Sequence, residues 1–178
     1  MRLFIAICLT DDLKDALSET AADLRDAAKK GRYTRRENLH LTLVFIGESD
    51  RVDDIIDVME EAAEEAFQAP VRVALADAGA FRGRGGDLHW VGVENTPELK
   101  RLARALADGL TADGFDIEKR KFTPHITIGR EVLVLTDAGV TVRKAAMMAD
   151  RISLMRSDRL DGQVVYTEIA SVCCGSIN

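Results

Sequence analysis

His40-Leu-Thr-Leu-Val-Phe-Ile-Gly47 and His125-Ile-Thr-Ile-Gly-Arg130 are two copies of one pattern, set 85 residues apart. Each copy begins with a histidine, places a threonine two residues later, and alternates these polar residues with aliphatic ones. Such alternation in a run rich in β-branched residues predicts a half-buried β-strand. Because residues i and i+2 of a strand point to the same face, each copy presents an imidazole and a hydroxyl together.

The sequence ahead of each histidine strand is repeated as well. Phe4-Ile-Ala-Ile-Cys-Leu-Thr-Asp-Asp-Leu-Lys14 aligns with Trp90-Val-Gly-Val-Glu-Asn-Thr-Pro-Glu-Leu-Lys100 at an offset of 86. In both, an apolar strand-like run ends at a threonine, Thr10 or Thr96, of the type that caps helices. Apolar residues at helical spacing then predict an amphipathic helix in each copy.

Further elements are expected to follow each of these segments. Gly31 and Gly114 are suited to end the two helices. Asp50 to Phe67 has the pattern of an amphipathic helix, and a short, weak counterpart is expected around Val142 to Met148. Three more strands are expected at Val71 to Ala76, Arg151 to Arg156 and Val164 to Val172.

This repeat predicts an α+β fold built from two pseudo-symmetric strand-helix-strand lobes, with antiparallel sheets facing each other across a central cleft. The whole chain, 1–178, is expected to form one two-lobed domain, with the repeat near 2–80 and 88–172. A repeat brings equivalent strands to equivalent places. The two histidine strands are therefore expected to line one cleft from opposite sides.

Composition limits the classes of protein to be considered. The chain has 178 residues, 47% of them hydrophobic, which supports a packed core. Its net charge of −6 argues against a protein that grips long nucleic acid through a broad basic surface, although it is compatible with a local basic pocket. The apolar run Leu3 to Leu9 is too short to span a membrane and has no cleavage pattern. We therefore expect a cytoplasmic, soluble monomer with no membrane partner.

Two histidine–threonine pairs suit a reaction that removes a proton on one side of a substrate and delivers a proton on the other. Hydrolysis of a cyclic phosphodiester is such a reaction, because the attacking water and the leaving sugar oxygen lie on opposite sides of phosphorus. Thr42 and Thr127 would donate hydrogen bonds to the non-bridging phosphate oxygens. A single histidine strand would more often be purely structural. The recurrence in matching contexts favours a catalytic pair.

No metal or cofactor is expected. The histidine strands lack a second ligand nearby in sequence. The three cysteines, Cys8, Cys173 and Cys174, fit neither a zinc site nor a disulfide framework, and we expect them to be buried packing residues. The remaining histidine, His89, has valine instead of threonine at i+2 and is expected to be structural.

Several basic and aromatic residues are weaker candidates. Arg130 lies one position off the parity of His125 and Thr127, so a bulge or strand end after Gly129 would be needed to turn it into the cleft. The basic pairs 35–36 and 120–121 precede the two histidines at the same distance. They could attract a phosphate group or could simply be solvated charges in loops. Four aromatic residues could stack on a base or belong to the core: Tyr33, Phe45, Phe81 and Phe122.

At its two histidine motifs the chain resembles the two-histidine phosphoesterase superfamily, whose signature is a pair of His-x-Thr-x motifs. It is most similar to the RNA 2′,3′-cyclic phosphodiesterases, historically called 2′-5′ RNA ligases. The opening Arg2-Leu-Phe-Ile-Ala and the stretches 88–93 and 154–160 extend the resemblance along nearly the whole chain. It implies hydrolysis of RNA 2′,3′-cyclic phosphate ends to 2′-phosphomonoesters, with His40 as proton donor and His125 as proton acceptor. The reverse reaction, 2′-5′ ligation, is also a family activity.

The resemblance implies RNA 3′ ends with a cyclic phosphate as the partner, with tRNA fragments or cyclic nucleotides as candidates. Two other functions remain open: a nucleotide-binding module without catalysis, and a two-histidine enzyme acting on a nucleotide or ADP-ribose derivative. A strand-rich interaction domain with no site would instead bury the two histidines far apart.

Overall fold

The computed structural model describes residues 1–135 and 140–175, and in these ranges it contains three α-helices and nine β-strands. The helices are α1 (Asp11–Asp26), α2 (Val52–Ala66) and α3 (Pro97–Ala112). The strands are β1 (Arg2–Cys8), β2 (Ala28–Tyr33), β3 (His40–Glu48), β4 (Val71–Phe81), β5 (Asp87–Val93), β6 (His125–Val134), β7 (Ala146–Ala149), β8 (Arg151–Leu160) and β9 (Gln163–Cys173).

The strands form two antiparallel sheets, and the α+β prediction is confirmed. One sheet has the order β3-β1-β8-β9 and the other the order β2-β6-β5-β4-β7. Under the sequence repeat, β1 corresponds to β5 and β3 to β6. The order β3-β1-β8-β9 thus matches β6-β5-β4-β7 strand for strand, and β2 is an additional strand beside β6.

Each sheet takes strands from both halves of the chain. β8 comes from the second half and pairs with β1, whereas β4 comes from the first half and pairs with β5. Neither half could complete its own four-stranded sheet without the strands that the other supplies. The exchange therefore fixes the two histidine strands in one interlocked framework.

The alternation predicted for the strands decides where the core lies. On β1 the odd-numbered residues Leu3, Ile5 and Ile7 are fully buried in one continuous apolar core that includes residues from both sheets and all three helices. The even-numbered Phe4 and Ala6 belong to a separate small cluster. One face of the sheet thus packs on the core, which leaves the other face available to form a cleft.

The two repeat helices begin as predicted but end differently. The Thr96 hydroxyl accepts a hydrogen bond from the Leu99 backbone N–H at 3.2 Å, whereas the Thr10 side chain makes no such cap bond. Gly114, with φ of +86°, follows the end of α3. The prediction for Gly31 is wrong, because α1 already ends at Asp26 and Gly31 lies within β2, which pairs with β6.

Two further expectations are corrected by the structure. The helix expected around Val142 to Met148 is absent, because residues 146–149 form β7 and pair with the free edge of β4. The cysteines are not all buried. Cys173, near the end of the edge strand β9, is exposed, and the other two are half-buried. Within the described residues, no helix has the length and apolar character needed to cross a membrane.

Candidate active site

A cleft of about 820 Å³ lies between the two sheets and contains both histidine motifs. All five residues predicted for the site, His40, Thr42, His125, Thr127 and Arg130, line it. The remaining lining residues come from both sheets and their connections: Arg2, Phe4, Arg32, Tyr33, Thr34, Arg35, Asn38, Phe45, Glu48, Ser157, Arg159, Gly162, Gln163, Val164 and Tyr166.

The His40 ring is held in a defined tautomer. Its Nδ1 lies 2.7 Å from the Asn38 carbonyl oxygen, which can only accept, so Nδ1 carries the proton. In the neutral ring Nε2 is then an acceptor, and the Thr42 hydroxyl donates to it at 2.9 Å. The side chain of Asn38 is buried and donates through Nδ2 to the Val164 carbonyl at 2.9 Å. The turn before β3 is thereby tied to β9.

His125 is oriented in the same way. Its Nδ1 donates to the Thr123 carbonyl at 2.7 Å, again two residues before the histidine. Nε2 is therefore, in both rings, the nitrogen that is not bonded to a backbone carbonyl. Within residues 1–135 and 140–175, no three His, Cys, Asp or Glu side chains come together in a cluster that would hold a metal ion.

Aromatic side chains pack against both histidines. Phe4 and Tyr166 flank His40, with ring centroids 4.8 Å and 5.0 Å away. Trp90 and Phe81 lie beside His125, at 6.0 Å and 5.5 Å. These contacts were not predicted from the sequence. A signal was nevertheless present, because Phe4 and Trp90 occupy equivalent positions in the repeat.

Arg130 enters the cleft through a bulge. Trp90 on β5 pairs with Thr127, but the next residue, His89, pairs with Gly129, so β6 has one extra residue at Ile128. This shift reverses the alternation, and Arg130 reaches the same cleft as His125 and Thr127 despite its sequence parity. The bulge that this position requires is therefore present, one residue earlier than expected.

The electrostatics of the cleft differ from those of the whole chain. Of the residues that the structure describes, five arginines line it (Arg2, Arg32, Arg35, Arg130 and Arg159), against one carboxylate, Glu48. Burial lowers the pKa of His40 from its usual 6.5, the hydrogen bond to Asn38 raises it, and the charge of Arg130 lowers it further. An acidic protein thus presents a local positive field that favours an anionic ligand.

The members of the two basic pairs lie in different surroundings. Of the four residues, only Arg35 lines the cleft, and it donates to the Gln163 side chain and the Val164 carbonyl, both at 2.7 Å. Arg36 instead pairs with Asp11 and Asp15 at the start of α1. The pairs recur because the sequence is repeated, and of their four residues only Arg35 lies at the site.

The weaker aromatic and histidine candidates are also placed by the structure. Phe45 and Phe81 are each 46% exposed and do not belong to the core, whereas Tyr33 and Phe122 pack against it. His89 is half-buried on β5 and does not line the cleft. Burial lowers its pKa, which Asp87 partly offsets. Its Nε2 is buried with no partner among the described residues.

A sequence profile of the 2′-5′ RNA ligase superfamily matches residues 13–161. The chain belongs to this superfamily. The resemblance inferred from the two histidine motifs is therefore confirmed.

Individual members of the superfamily are similar along most of the chain. The RNA 2′,3′-cyclic phosphodiesterase of Thermotoga maritima is 36% identical over 132 residues, which cover 73% of this chain and 70% of that protein. The enzyme of the same name from Methanothermobacter thermautotrophicus is 28% identical over 180 residues and covers 95% of this chain and 96% of its own length.

Solved structures of superfamily members share the fold. The protein TT0787 of Thermus thermophilus superimposes with a TM-score of 0.79 at 25% identity, over 100% of both chains. Escherichia coli LigT in complex with 3′-AMP superimposes with a TM-score of 0.78 at 26% identity, over 98% of both chains. The two-sheet architecture of this chain is thus the same as in these solved structures.

Proposed function

We propose that this protein hydrolyses 2′,3′-cyclic phosphate ends of RNA to 2′-phosphomonoesters by two-histidine general acid–base catalysis. The observation that carries the proposal is that His40 and His125 line one arginine-rich cleft, each with Nδ1 bound to a backbone carbonyl and Nε2 left to react. The names of the relatives from Thermotoga and Methanothermobacter support the same reaction.

The reaction divides between the two rings. His125 Nε2 takes a proton from water as the water oxygen attacks phosphorus, and the bond from phosphorus to O3′ breaks on the opposite side. His40 Nε2 delivers a proton to O3′, leaving a 3′-hydroxyl and a 2′-phosphate. A 5′-hydroxyl in place of water would lose its proton to His125 and attack phosphorus in the same way, with His40 again protonating O3′, and the product would be a 2′-5′ linkage.

The proton donor must be charged when it acts, although burial and Arg130 disfavour the charged form in the free protein. A cyclic phosphate carries one negative charge. Bound beside Arg130 and His40, it offsets the arginine charge and stabilises the imidazolium. Substrate binding thus favours the protonated form of His40, which is the form that donates the proton to O3′.

Thr42, Thr127 and Arg130 bind the phosphate oxygens. The Thr42 hydroxyl now donates to His40 Nε2 and would turn to a phosphate oxygen once that nitrogen is protonated. Arg130 lines the same cleft as His40, and its charge lowers the pKa of that ring. Donors fixed where negative charge accumulates stabilise the transition state more than the ground state.

The proposal also includes the kind of RNA on which the enzyme acts. RNA 3′ ends, with tRNA fragments or cyclic nucleotides among them, are the substrates we propose for a monomeric enzyme of the cytoplasm. A binding module without catalysis would not need both rings oriented with Nε2 away from the backbone carbonyl that holds Nδ1. It therefore explains the site less well.

The test is hydrolysis of a short RNA with a 2′,3′-cyclic phosphate end in excess EDTA, with the position of the product phosphate determined. We compare wild type, His40→Ala, His125→Ala and the control His89→Gln. A 2′-phosphate product is expected, with a loss of about 100-fold or more in the first two variants and none in the control, because each acid–base group contributes about 10²–10⁴-fold. Folded wild type that turns over neither RNA nor cyclic mononucleotides would instead point to the binding module.

A further inference from the structure

The cleft extends beyond the two histidines, and its far end is lined by side chains that the proposed reaction does not use. Arg2, Phe45, Ser157 and Arg159 line this end, which we call the second phosphate site. A volume of about 820 Å³ is near the upper end for ligand pockets, and a single nucleotide occupies only part of it. The remainder is free to hold a further part of a longer substrate.

The strand register places this site one step beyond Phe4, the aromatic residue whose ring packs against His40. Phe4 contacts the His40 ring, and Arg2 lies two residues further along β1 on the same face. Two residues of a strand span about 7 Å, a step on the scale of one nucleotide. Ser157 pairs with Arg2 across β1 and β8, and Arg159 follows two residues later on that face.

The charge of this site is available for a ligand. Among the described residues, neither Arg2 nor Arg159 forms a salt bridge. Among the described residues that line this end, the one carboxylate is Glu48, which lies opposite Arg2 in the strand pairing and has the amino terminus of Met1 3.4 Å away. Two guanidinium groups and a hydroxyl thus face the cleft against one carboxylate that is itself close to a positive amino terminus, and this set of donors suits a phosphate.

Phe45 adds a surface for a base. It is 46% exposed, pairs with Phe4 across β1 and β3, and has the Arg2 guanidinium 5.0 Å from its ring centre. Exposed aromatic rings and arginine planes are the groups on which single-stranded nucleic acids stack their bases. A phosphate-binding group and a stacking group next to each other match the repeating unit of an RNA strand.

From this arrangement we propose that the second phosphate site binds the phosphodiester that precedes the terminal nucleotide. The protein would then select oligoribonucleotide ends over cyclic mononucleotides. This inference rests on the proposed function and adds the class of substrate. A cyclic phosphate on a pyrophosphate-containing nucleotide, such as ADP-ribose 1″,2″-cyclic phosphate, shares part of the chemistry. RNA is favoured because the stacking ring lies beside the arginines.

The experiment compares kcat/KM for four substrates. They are 2′,3′-cyclic AMP, a trinucleotide with a 2′,3′-cyclic end, the same trinucleotide with a neutral methylphosphonate as its last internucleotide linkage, and ADP-ribose 1″,2″-cyclic phosphate. Wild type should prefer the charged trinucleotide to the mononucleotide by about tenfold or more, since hydrogen bonds to a charged group are commonly worth this much. The methylphosphonate should remove most of that preference.

Variants of the second phosphate site test whether its side chains cause the preference for the trinucleotide. Arg2→Gln and Arg159→Gln should each lower the ratio of trinucleotide to mononucleotide kcat/KM by about tenfold, and Phe45→Ala by a similar factor through lost stacking. Arg104→Gln is the matched control, since Arg104 is exposed on α3 and pairs with Asp108, away from the cleft. The ratio should stay at its wild-type value in this control. Because the methylphosphonate comparison uses wild type, it holds even if a variant fails to fold.

Three results would overturn the inference: equal kcat/KM for trinucleotide and mononucleotide, a preference unaffected by the methylphosphonate, or a preference for the ADP-ribose derivative. Each leaves the proposed reaction intact as long as turnover depends on His40 and His125. Absence of turnover on all four substrates would remove the proposed function and this inference together.

Discussion

Gly79 is a position where one methyl group should disturb both the fold and the site. It lies on β4 opposite Trp90 of β5, whose indole ring packs across it. A Cβ at this position would lie 2.3 Å from Cζ2 and 2.4 Å from Cη2 of Trp90. Trp90 in turn packs beside His125 and pairs with Thr127 in the neighbouring strand.

The size of the effect follows from the overlap. Ordinary contact begins at about 3.4 Å, so the alanine methyl would be about 1.1 Å too close to the ring. Overpacking of this kind typically costs about 1–3 kcal/mol of unfolding free energy. A ring displaced by about 1 Å toward His125 would also misplace the imidazole, and misplacement on this scale can cost about 100-fold in rate.

The assay is urea unfolding of Gly79→Ala together with kcat/KM on an RNA cyclic phosphate end. Trp90→Phe removes the second ring, and in that background Gly79→Ala should cost much less, giving a clear coupling energy. An unfolding free energy within about 0.5 kcal/mol of wild type would refute the steric argument. So would an equal cost of Gly79→Ala in the two backgrounds.

Two further predictions concern the repeat and the titration of the site. Thr96→Ala should lower the unfolding free energy, measured by urea denaturation, by about 1 kcal/mol because the cap hydrogen bond to Leu99 is lost. Thr10→Ala loses no cap bond and should cost clearly less. Equal costs for the two variants would contradict this prediction. Arg130→Gln should raise the pKa of His40, measured by NMR titration. The positive charge of Arg130 disfavours the imidazolium form of His40, so removing that charge favours the imidazolium. An unchanged or lower pKa would show that the charge does not act on this ring.

Local patterns were sufficient to predict much of this protein. Alternation in the two histidine motifs predicted β3 and β6, and helical spacing predicted α1, α2 and α3. These features are short-range, because side-chain direction along a strand or helix follows from backbone geometry alone. The same parity placed His40 with Thr42 and His125 with Thr127 on faces that line the cleft.

Features that depend on distant strands could not be read in this way. The exchange of β4 and β8 between sheets is a choice among edges that no local pattern encodes. Residues 146–149 pair with β4 instead of forming a helix, since a free strand edge offers hydrogen bonds that outweigh a weak helical pattern. Arg35 is likewise bound to the β8–β9 hairpin, 128 residues further along the chain.

The sequence by itself determined which side chains we propose for the chemistry, because two copies of one motif present the same pair of groups wherever the strands lie. Only the tertiary structure decided how those groups are surrounded. The bulge that turns Arg130 inward, the rings of Tyr166 and Phe81 beside the histidines, and the arginines of the second phosphate site all depend on strand register. Register is set by pairing between segments far apart in sequence, and such pairing is fixed only when the whole core is packed.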